Sequence, residues 1–346
     1  MSLVSITLNR VEGQQRRISN RFATLVIHTC FRTNHQNWLQ NETSSYVDLS
    51  PLYGNNQEGQ DRIRNKEGRG MLFNDVFAED RLLFLPPIAC AFLILYCRNH
   101  NFIASVAFNF QHICTESIYS EKILQINERG TWVDPSNTVK WDALTPEQKL
   151  KQDDDVFNMA RLINCGHFAS AVFSDYVAAI LGLVTDLNSW TLDPFNSIRK
   201  SDHSFVDRGQ GNGNSVEFNL LYRWHATLSQ ADEQWVEKMF EKCFPGVSWD
   251  DITIEMFSGV TAKLKEQSNV DVRNWTFAGL QRTSDGKFKD DDIANILMDA
   301  TEHPAGAFKA RGTPSVMKIV EIMTMKMARK WGVCTVSLIS IPKVRY

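Results

Sequence analysis

Apolar residues recur at helical spacing in several long stretches of the chain. Residues 20–33 place apolar side chains every three or four positions, and residues 88–104 form a nearly continuous apolar run entered through two prolines. Such patterns predict helices that are amphipathic or buried. Alternating apolar and polar positions, which are typical of strands, are sparse. The sequence therefore predicts a mainly α-helical fold.

The second half of the chain continues this pattern. Runs of three aspartates at 153–155 and 290–292 are predicted to begin helices, because carboxylates are favourable at a helix N-terminus. Near the end of the chain, an apolar stripe at helical spacing indicates the core face of another helix rather than a cofactor site. The stripe consists of Val316, Ile319, Val320, Met323 and Met327.

Residues 216–228 are also predicted to form a helix, which carries two chemically capable side chains. Tyr222 and His225 are three positions apart, and residues i and i+3 share a helical face. The imidazole is a potential iron ligand, and the phenol is a side chain that can lose an electron. The pair points to one shared cofactor, although a hydrogen-bonded core histidine is the simpler alternative for His225.

His28 lies near the end of the predicted N-terminal helix, in an otherwise apolar segment. A polar side chain in such a place needs either a hydrogen-bond partner or a chemical role. His28 is therefore a candidate site residue or a core histidine bonded to backbone.

Composition and charge exclude some classes of protein. A hydrophobic content of 43% and a charged content of 22% are typical of a globular chain, and the net charge of -3 comes without a basic tract. Nucleic-acid binding is therefore not expected. The glycine-containing loop at 207–215 is not a phosphate cradle, because Asn214 occupies the third glycine position of a GxGxxG match and no strand pattern precedes it.

The seven cysteines are scattered and contain no CxxC pair, so neither a disulfide framework nor a zinc site is indicated. This use of cysteine predicts a reducing, cytoplasmic location, with association to lipid bodies or membranes as a variant. The N-terminus does not look like a secretory signal. The apolar stretch at 82–97 is shorter than the roughly 20 residues that a membrane span needs, so no transmembrane segment is predicted.

Four motifs then follow one another along the chain. They are His-Thr-Cys-Phe-Arg-Thr at 28–33, Pro-Leu-Tyr-Gly at 51–54, Arg-Asn-His-Asn at 98–101 and Glu-Phe-Asn-Leu-Leu-Tyr-Arg-Trp-His at 217–225. In these motifs the chain resembles the animal haem peroxidase and cyclooxygenase superfamily. Within it, the chain is most similar to fungal fatty-acid dioxygenases, namely linoleate diol synthases and psi-factor-producing oxygenases.

The resemblance implies a haem peroxidase-like, cyclooxygenase-type helical domain that contains haem b. It implies that His225 is the axial ligand of the haem iron and that His28 assists cleavage of the peroxide O–O bond. Tyr222 would form a radical that takes a hydrogen atom from an unsaturated C18 fatty acid of the linoleate type. O2 would then add to give a hydroperoxide. His100 would be structural.

The loop around residues 44–50 is a candidate calcium site. Ser44, Tyr46 through its carbonyl, Asp48 and Ser50 offer oxygen donors at alternating positions, as calcium requires. The corresponding loop of mammalian haem peroxidases binds calcium. Thr29 stands where an aspartate usually follows the distal histidine, so one anionic ligand is missing. The alternative is that Asp48 and Ser50 only cap and brace the loop.

We assign residues 20–335 to the haem peroxidase domain and leave 1–19 and 336–346 unassigned. Residues 105–120 interrupt the family-like sequence and are predicted to be an insertion. The insertion and the tail are interpreted as read-through of unspliced gene segments, with a genuine loop and tail as the alternative. Because such a chain would lack helices around the substrate channel, we expect low or absent activity. Nothing resembles the haem-thiolate domain that often follows, so diol-synthase activity is not predicted.

Three other functions compete with the dioxygenase. They are a haem peroxidase that oxidises small donors or halides, a haem-binding fragment without activity, and a helical interaction protein without haem. The presence of Tyr222 argues against the first of them. The sequence leaves open the position of oxygenation, the preferred fatty acid and whether the chain forms a homo-oligomer.

Overall fold

The computed structural model describes residues 15–34, 36–44, 46–106, 131–181, 202, 204, 213–267, 269–306 and 312–333. The helices in chain order are α1 (Gln15–Cys30), α2 (Ser50–Tyr53), α3 (Gln57–Ile63), α4 (Ile88–Val106), α5 (Thr138–Asp142), α6 (Pro146–Ser170), α7 (Ala178–Leu181), α8 (Val216–Leu221), α9 (Gln230–Cys243), α10 (Ile254–Gln267), α11 (Asp290–Glu302) and α12 (Lys318–Lys330). Turns of 3-10 helix lie at Asp80–Phe84, His225–Thr227, Trp249–Asp251, Val272–Asn274 and Ser315–Met317. A π-helical segment, Ala171–Val177, joins α6 to α7.

Strands play a small part in the described residues. β1 (Arg64–Asn65) and β2 (Met71–Leu72) form a two-stranded antiparallel ribbon in which Arg64 faces Leu72 and Asn65 faces Met71. The predicted mainly α-helical fold is confirmed.

The larger of the two main cores is built around α4, which begins directly after Pro87 as predicted. Its apolar side chains meet α1, α6 and α11, and Phe22 of α1 packs edge-on against Phe92 of α4 with ring centroids 5.4 Å apart. A helix buried on most sides needs few polar positions, which explains the continuous apolar run in its sequence.

A second core joins α9 to α12. Val236 and Phe240 of α9 are buried against Val316 and Ile319, which come from the turn before α12 and from its first residues. The first two residues of the predicted apolar stripe, Val316 and Ile319, therefore belong to this core. The segment between α8 and α9 contacts both cores, because Tyr222 packs against the first and Leu228 against the second.

The prediction that the aspartates at 153–155 begin a helix is wrong. α6 begins at Pro146, where the Thr145 hydroxyl accepts the backbone N–H of Gln148 and the Gln148 side chain accepts that of Thr145. Asp153 lies inside this helix and is buried.

Asp153 instead anchors the turn of the β-ribbon. One carboxylate oxygen accepts the backbone N–H groups of Gly68 and Gly70, both at 2.9 Å, and the other lies 2.6 Å from Arg64. Gly70 has φ +62°, and an added Cβ would lie 2.3 Å from the backbone nitrogen of Phe157, so only glycine fits there. The aspartate side chain therefore stabilises a distant turn rather than a helix end.

Several other predictions concern residues at the edge of the described chain. α1 begins at Gln15, five residues before the boundary that we placed at residue 20. α4 continues through Ser105 and Val106, while residues 107–120 of the suspected insertion and the tail at 336–346 lie outside the described residues. In the described part of the chain, no helix is both long and apolar enough to cross a membrane.

Candidate functional site

The segment that carries Tyr222 and His225 is not one helix, and the predicted helix over 216–228 is wrong. The Ser215 hydroxyl caps α8 by accepting the N–H of Phe218 at 3.1 Å, but the helix ends at Leu221. The backbone N–H of Trp224 then bonds to the carbonyl of Tyr222 at 3.1 Å, and a short 3-10 turn begins at His225. Tyr222 and His225 therefore do not lie on one face of a single helix, contrary to the prediction from the sequence.

His225 is held by a carboxylate from the far end of the chain. Its Nδ1–H donates to Oε1 of Glu321 at 2.6 Å, and this partner lies 96 positions later in α12. The hydrogen bond to His225 and the charge of Arg223 keep the pKa of Glu321 below its usual range, so the side chain is a carboxylate at neutral pH. Nδ1 is engaged by this contact, and among the described residues Nε2 has no hydrogen-bond partner.

Arg223 ties the same segment to α12. It donates to the Thr324 hydroxyl at 2.5 Å and to the side-chain and backbone oxygens of Asn219 at 3.0 and 3.3 Å. Burial lowers the pKa of Arg223, but from so high a value that the side chain remains a cation at neutral pH. The guanidinium therefore fixes α12 against α8 and brings positive charge close to Glu321.

Tyr222 turns toward the main core. Its hydroxyl donates to the hydroxyl of Tyr176 at 2.5 Å, and its ring packs against Trp224 with centroids 4.7 Å apart. Tyr176 comes from the π-helical segment and packs on Phe22 of α1 at 5.4 Å. Burial raises the pKa of both tyrosines, so both are neutral phenols at physiological pH.

His28 is held by its own helix. Its Nδ1–H donates to the carbonyl of Thr24 at 2.8 Å, one helical turn earlier. Arg81 donates to the carbonyls of His28 and Phe31 at 3.4 and 3.1 Å, at the C-terminal end of α1. Burial, followed by the charges of Arg81 and Arg223, lowers the pKa of His28 to about 3. His28 is therefore neutral, and among the described residues its Nε2 has no hydrogen-bond partner.

The two histidine-bearing segments pack against each other. Phe31, just after α1, lies 5.6 Å from Phe218 of α8, ring centroid to ring centroid. Asn214 donates from its side chain to the carbonyl of Cys30 at 3.2 Å. Arg223 influences the pKa values of both His28 and Glu321. The structure thus brings together the segments of His28, Tyr222 and His225, which are distant in sequence.

The candidate calcium loop is braced by protein contacts. Asp48 accepts the backbone N–H of Ser50 at 3.2 Å and lies 3.6 Å from Arg161, while the Ser50 hydroxyl donates to the carbonyl of Thr29 at 3.3 Å. The Ser44 hydroxyl accepts the N–H of Tyr46 at 3.3 Å. These contacts fit the bracing role of Asp48 and Ser50, and calcium stays an untested prediction.

His100 has a structural role beside Tyr53 of the Pro-Leu-Tyr-Gly motif. It is fully buried, and its ring nitrogens bond to the Tyr53 hydroxyl and to the carbonyl of Gly70, both at 2.9 Å. Asn164 donates to the same tyrosine oxygen at 2.8 Å. Both nitrogens are therefore occupied, and His100 is unavailable as a metal ligand.

The sequence reading missed three residues of this site. Arg223 lies inside the motif at 217–225, between Tyr222 and Trp224, and a charged residue between two aromatic ones could have been recognised as a candidate site residue. Glu321 and Tyr176 gave no such signal, because nothing in the sequence connects either of them to Tyr222 or His225. Their roles depend on contacts between segments far apart in the chain.

The donor set fits an iron porphyrin better than a bare metal ion. In the part of the chain that the structure describes, no three His, Cys, Asp or Glu side chains are grouped closely enough to hold a metal ion. A single imidazole whose Nδ1 is fixed by a carboxylate suits a metal that brings its other ligands with it. His225 is such an imidazole.

Comparison with known proteins agrees with this chemistry. Residues 13–231, which include His28, Tyr222 and His225, match the animal haem peroxidase family. The chain is 38% identical over 315 residues to a bifunctional dioxygenase–epoxy alcohol synthase of Pyricularia oryzae, covering 90% of this chain and 26% of that protein.

Two proteins of Aspergillus fumigatus are similarly related. Linoleate 10R-lipoxygenase is 36% identical over 313 residues, covering 90% of this chain and 26% of the relative, and psi-producing oxygenase A is 35% identical over 322 residues, covering 91% and 27%. The chain thus spans about a quarter of the length of these relatives. Together, the family match and these identities show that the chain belongs to the animal haem peroxidase family.

Proposed function

We propose that this chain is the haem-containing oxygenase part of a fatty-acid dioxygenase that forms hydroperoxides from unsaturated C18 fatty acids of the linoleate type. In this proposal His225 is the axial ligand of haem b, His28 is the acid–base group, and Tyr222 takes the hydrogen atom from the substrate. The names of the relatives, which include a linoleate 10R-lipoxygenase, support the substrate class.

The observation that carries the proposal is the matched state of the two histidines. Each donates its Nδ1–H to the protein, and each leaves Nε2 without a partner among the described residues. A core histidine normally satisfies both ring nitrogens, as His100 does. His28 and His225 are instead only partly covered, so each Nε2 is accessible to a ligand.

When bound, haem would supply the oxidising power of the reaction. His225 offers Nε2 as the iron ligand, and Glu321 holds its ring in place. His28 is neutral, so its Nε2 accepts a proton from a hydroperoxide and returns it to the departing oxygen. The positive charges of Arg81 and Arg223 disfavour a further positive charge on His28, so its imidazole stays available as a base.

In this proposal Tyr222 transfers the hydrogen atom. Its hydrogen bond to Tyr176 and its contact with Trp224 fix the ring. Loss of one electron to bound, oxidised haem and of one proton would make Tyr222 a phenoxyl radical. The radical takes a hydrogen atom from a substrate carbon, O2 adds to the resulting carbon radical, and the peroxyl radical takes a hydrogen atom back from the phenol. The products are a hydroperoxide and a regenerated phenoxyl radical.

The test is the variant Tyr222→Phe, assayed after haem is added to the purified chain. We expect the variant to keep the Soret band and to consume peroxide, but to lose oxygenation of linoleate. Tyr96→Phe is the matched control, because Tyr96 is buried in the same core and its ring contacts survive the change. If Tyr222→Phe retained full oxygenation, the protein would be a haem peroxidase of another type. If the wild-type chain showed no Soret band, haem function would be excluded.

A further inference from the structure

The carboxylate of Glu321 lies in direct contact with the imidazole of His225, outside the stretch that matches the haem peroxidase family. The Nδ1–Oε1 distance is 2.6 Å, and both side chains are largely covered, with 22% of His225 and 29% of Glu321 exposed. The family match ends at residue 231, far before Glu321. This contact therefore adds a residue to the site that the motifs do not contain.

Glu321 is held in this place by the packing of α12. It is the fourth residue of that helix, two positions after Ile319, which is buried in the second core. Three positions later, Thr324 accepts a hydrogen bond from Arg223, which is bonded in turn to Asn219 of α8. The carboxylate is therefore fixed from both sides, unlike a surface ion pair whose long side chains move freely.

A carboxylate in this position has two effects on an imidazole that binds metal. By accepting the Nδ1–H, it selects the tautomer in which Nε2 is free to bind, and it fixes the orientation of the ring. Its negative charge also makes the imidazole a stronger electron donor, which favours the oxidised state of a bound iron. An amide in the same place would keep the orientation but lose most of the second effect.

We infer that Glu321 is a positioning residue for the axial ligand, which orients His225 and lowers the reduction potential of the haem iron. This inference rests on the proposed function, in which His225 binds that iron. Arg223 and Thr324 support Glu321 by holding α12 in register with α8.

The experiment uses the purified full chain with added haem and compares Glu321→Gln, Glu321→Ala and Lys318→Ala. Haem titration gives the affinity, and spectroelectrochemistry gives the reduction potential of the bound iron. We expect Glu321→Gln to keep the Soret band and to shift the potential to a more positive value. We expect Glu321→Ala to lose about 10–100-fold in haem affinity, the usual effect of removing a group that orients a metal ligand.

Lys318→Ala, on the same helix, is the matched control for a merely structural role. It removes the bond from Lys318 of α12 to Asp250 and leaves the contacts of Glu321, Arg223 and Thr324 in place, so it should not move the potential. The inference is overturned if the wild-type chain binds haem through His225 while Glu321→Gln and Glu321→Ala keep the wild-type affinity and potential. In that case the proposed function stands. A wild-type chain that binds no haem, or a His225→Ala chain with a native haem spectrum, overturns both.

Discussion

On the α1 side of the site, His28 donates to a carbonyl four residues earlier in its own helix, whereas on the α12 side His225 donates to a carboxylate 96 residues later. The first bond forms whenever the helix forms, and no side-chain mutation of the partner removes it. The second exists only when two distant segments have packed. Both imidazoles therefore have Nδ1 bonded and Nε2 available. In His28 the bond is local, whereas in His225 it joins segments that are distant in sequence.

The proposed function offers a reason for this difference, because it assigns proton transfer to His28 and iron binding to His225. A group that moves protons needs a ring that is neutral, and burial beside Arg81 and Arg223 provides this for His28. A metal ligand also gains from a negative partner, which no backbone carbonyl supplies with a full charge. The long-range partner of His225 gives an anionic contact that the helix itself lacks.

The largest expected effect is that of His225→Ala. If Nε2 of His225 binds the haem iron, the purified variant should lose the Soret band after haem is added, or bind haem far more weakly. If His225 were only a packed side chain, its loss would cost about 1–3 kcal/mol of stability and leave the spectrum intact. A native haem spectrum in the variant would contradict the assignment.

The second prediction concerns His28→Ala. The variant should bind haem normally but cleave peroxide about 10²–10⁴-fold more slowly, which is the usual effect of removing a positioned acid–base group. Stopped-flow measurement of peroxide consumption tests this. Thr24→Ala is the matched control, because the bond to His28 uses the Thr24 carbonyl, which the change retains. Equal rates in wild type and His28→Ala would place the acid–base role elsewhere.

The third prediction concerns the hydrogen bond that links the two sides, from Tyr222 to Tyr176. Tyr176→Phe leaves the Tyr222 O–H without its acceptor in buried surroundings, so the free energy of unfolding should fall by about 1–3 kcal/mol. Adding Tyr222→Phe removes the orphaned donor, and the double variant should recover part of the loss. Urea unfolding of both single variants and the double variant measures the coupling. Strictly additive losses would mean that the bond contributes little.

The elements that the sequence predicted correctly are those whose signal is local. α4 follows from its unbroken apolar run, and α11 begins at Asp290 as the aspartates indicated. The Thr145 and Gln148 capping pair is also a local signal, and it marks the start of α6 better than the nearby aspartates at 153–155 do. Side chains that serve distant partners mislead local rules, as Asp153 does by bonding to Gly68 and Gly70.

The same reasoning explains what could be predicted of the site. The motifs identified His28, Tyr222 and His225, and the structure brings their segments together. The break between α8 and the turn at His225 escaped prediction, because the apolar pattern continues across it while Arg223 and Tyr222 are drawn to opposite sides by Thr324 and Tyr176. Tertiary contacts of this kind override helix propensity.

The smallest expected effect is a change in the pH dependence of stability, measured by urea unfolding of the haem-free chain. Burial lowers the pKa of His28 from 6.5 to about 3, so the folded chain binds fewer protons than the unfolded chain in mild acid. The contribution of neutral His28 is present above pH 6.5 and is lost as the pH falls toward about 3.

His28→Gln should therefore flatten the decline in stability below pH 6.5. The part of the decline that remains is due in part to His100, whose pKa burial lowers to about 4. His303→Gln, at a side chain that is 43% exposed, serves as the control for replacing a histidine at the surface. An identical decline in wild type and His28→Gln would show that His28 is not held neutral by the fold, and it would remove the basis for its role as a base.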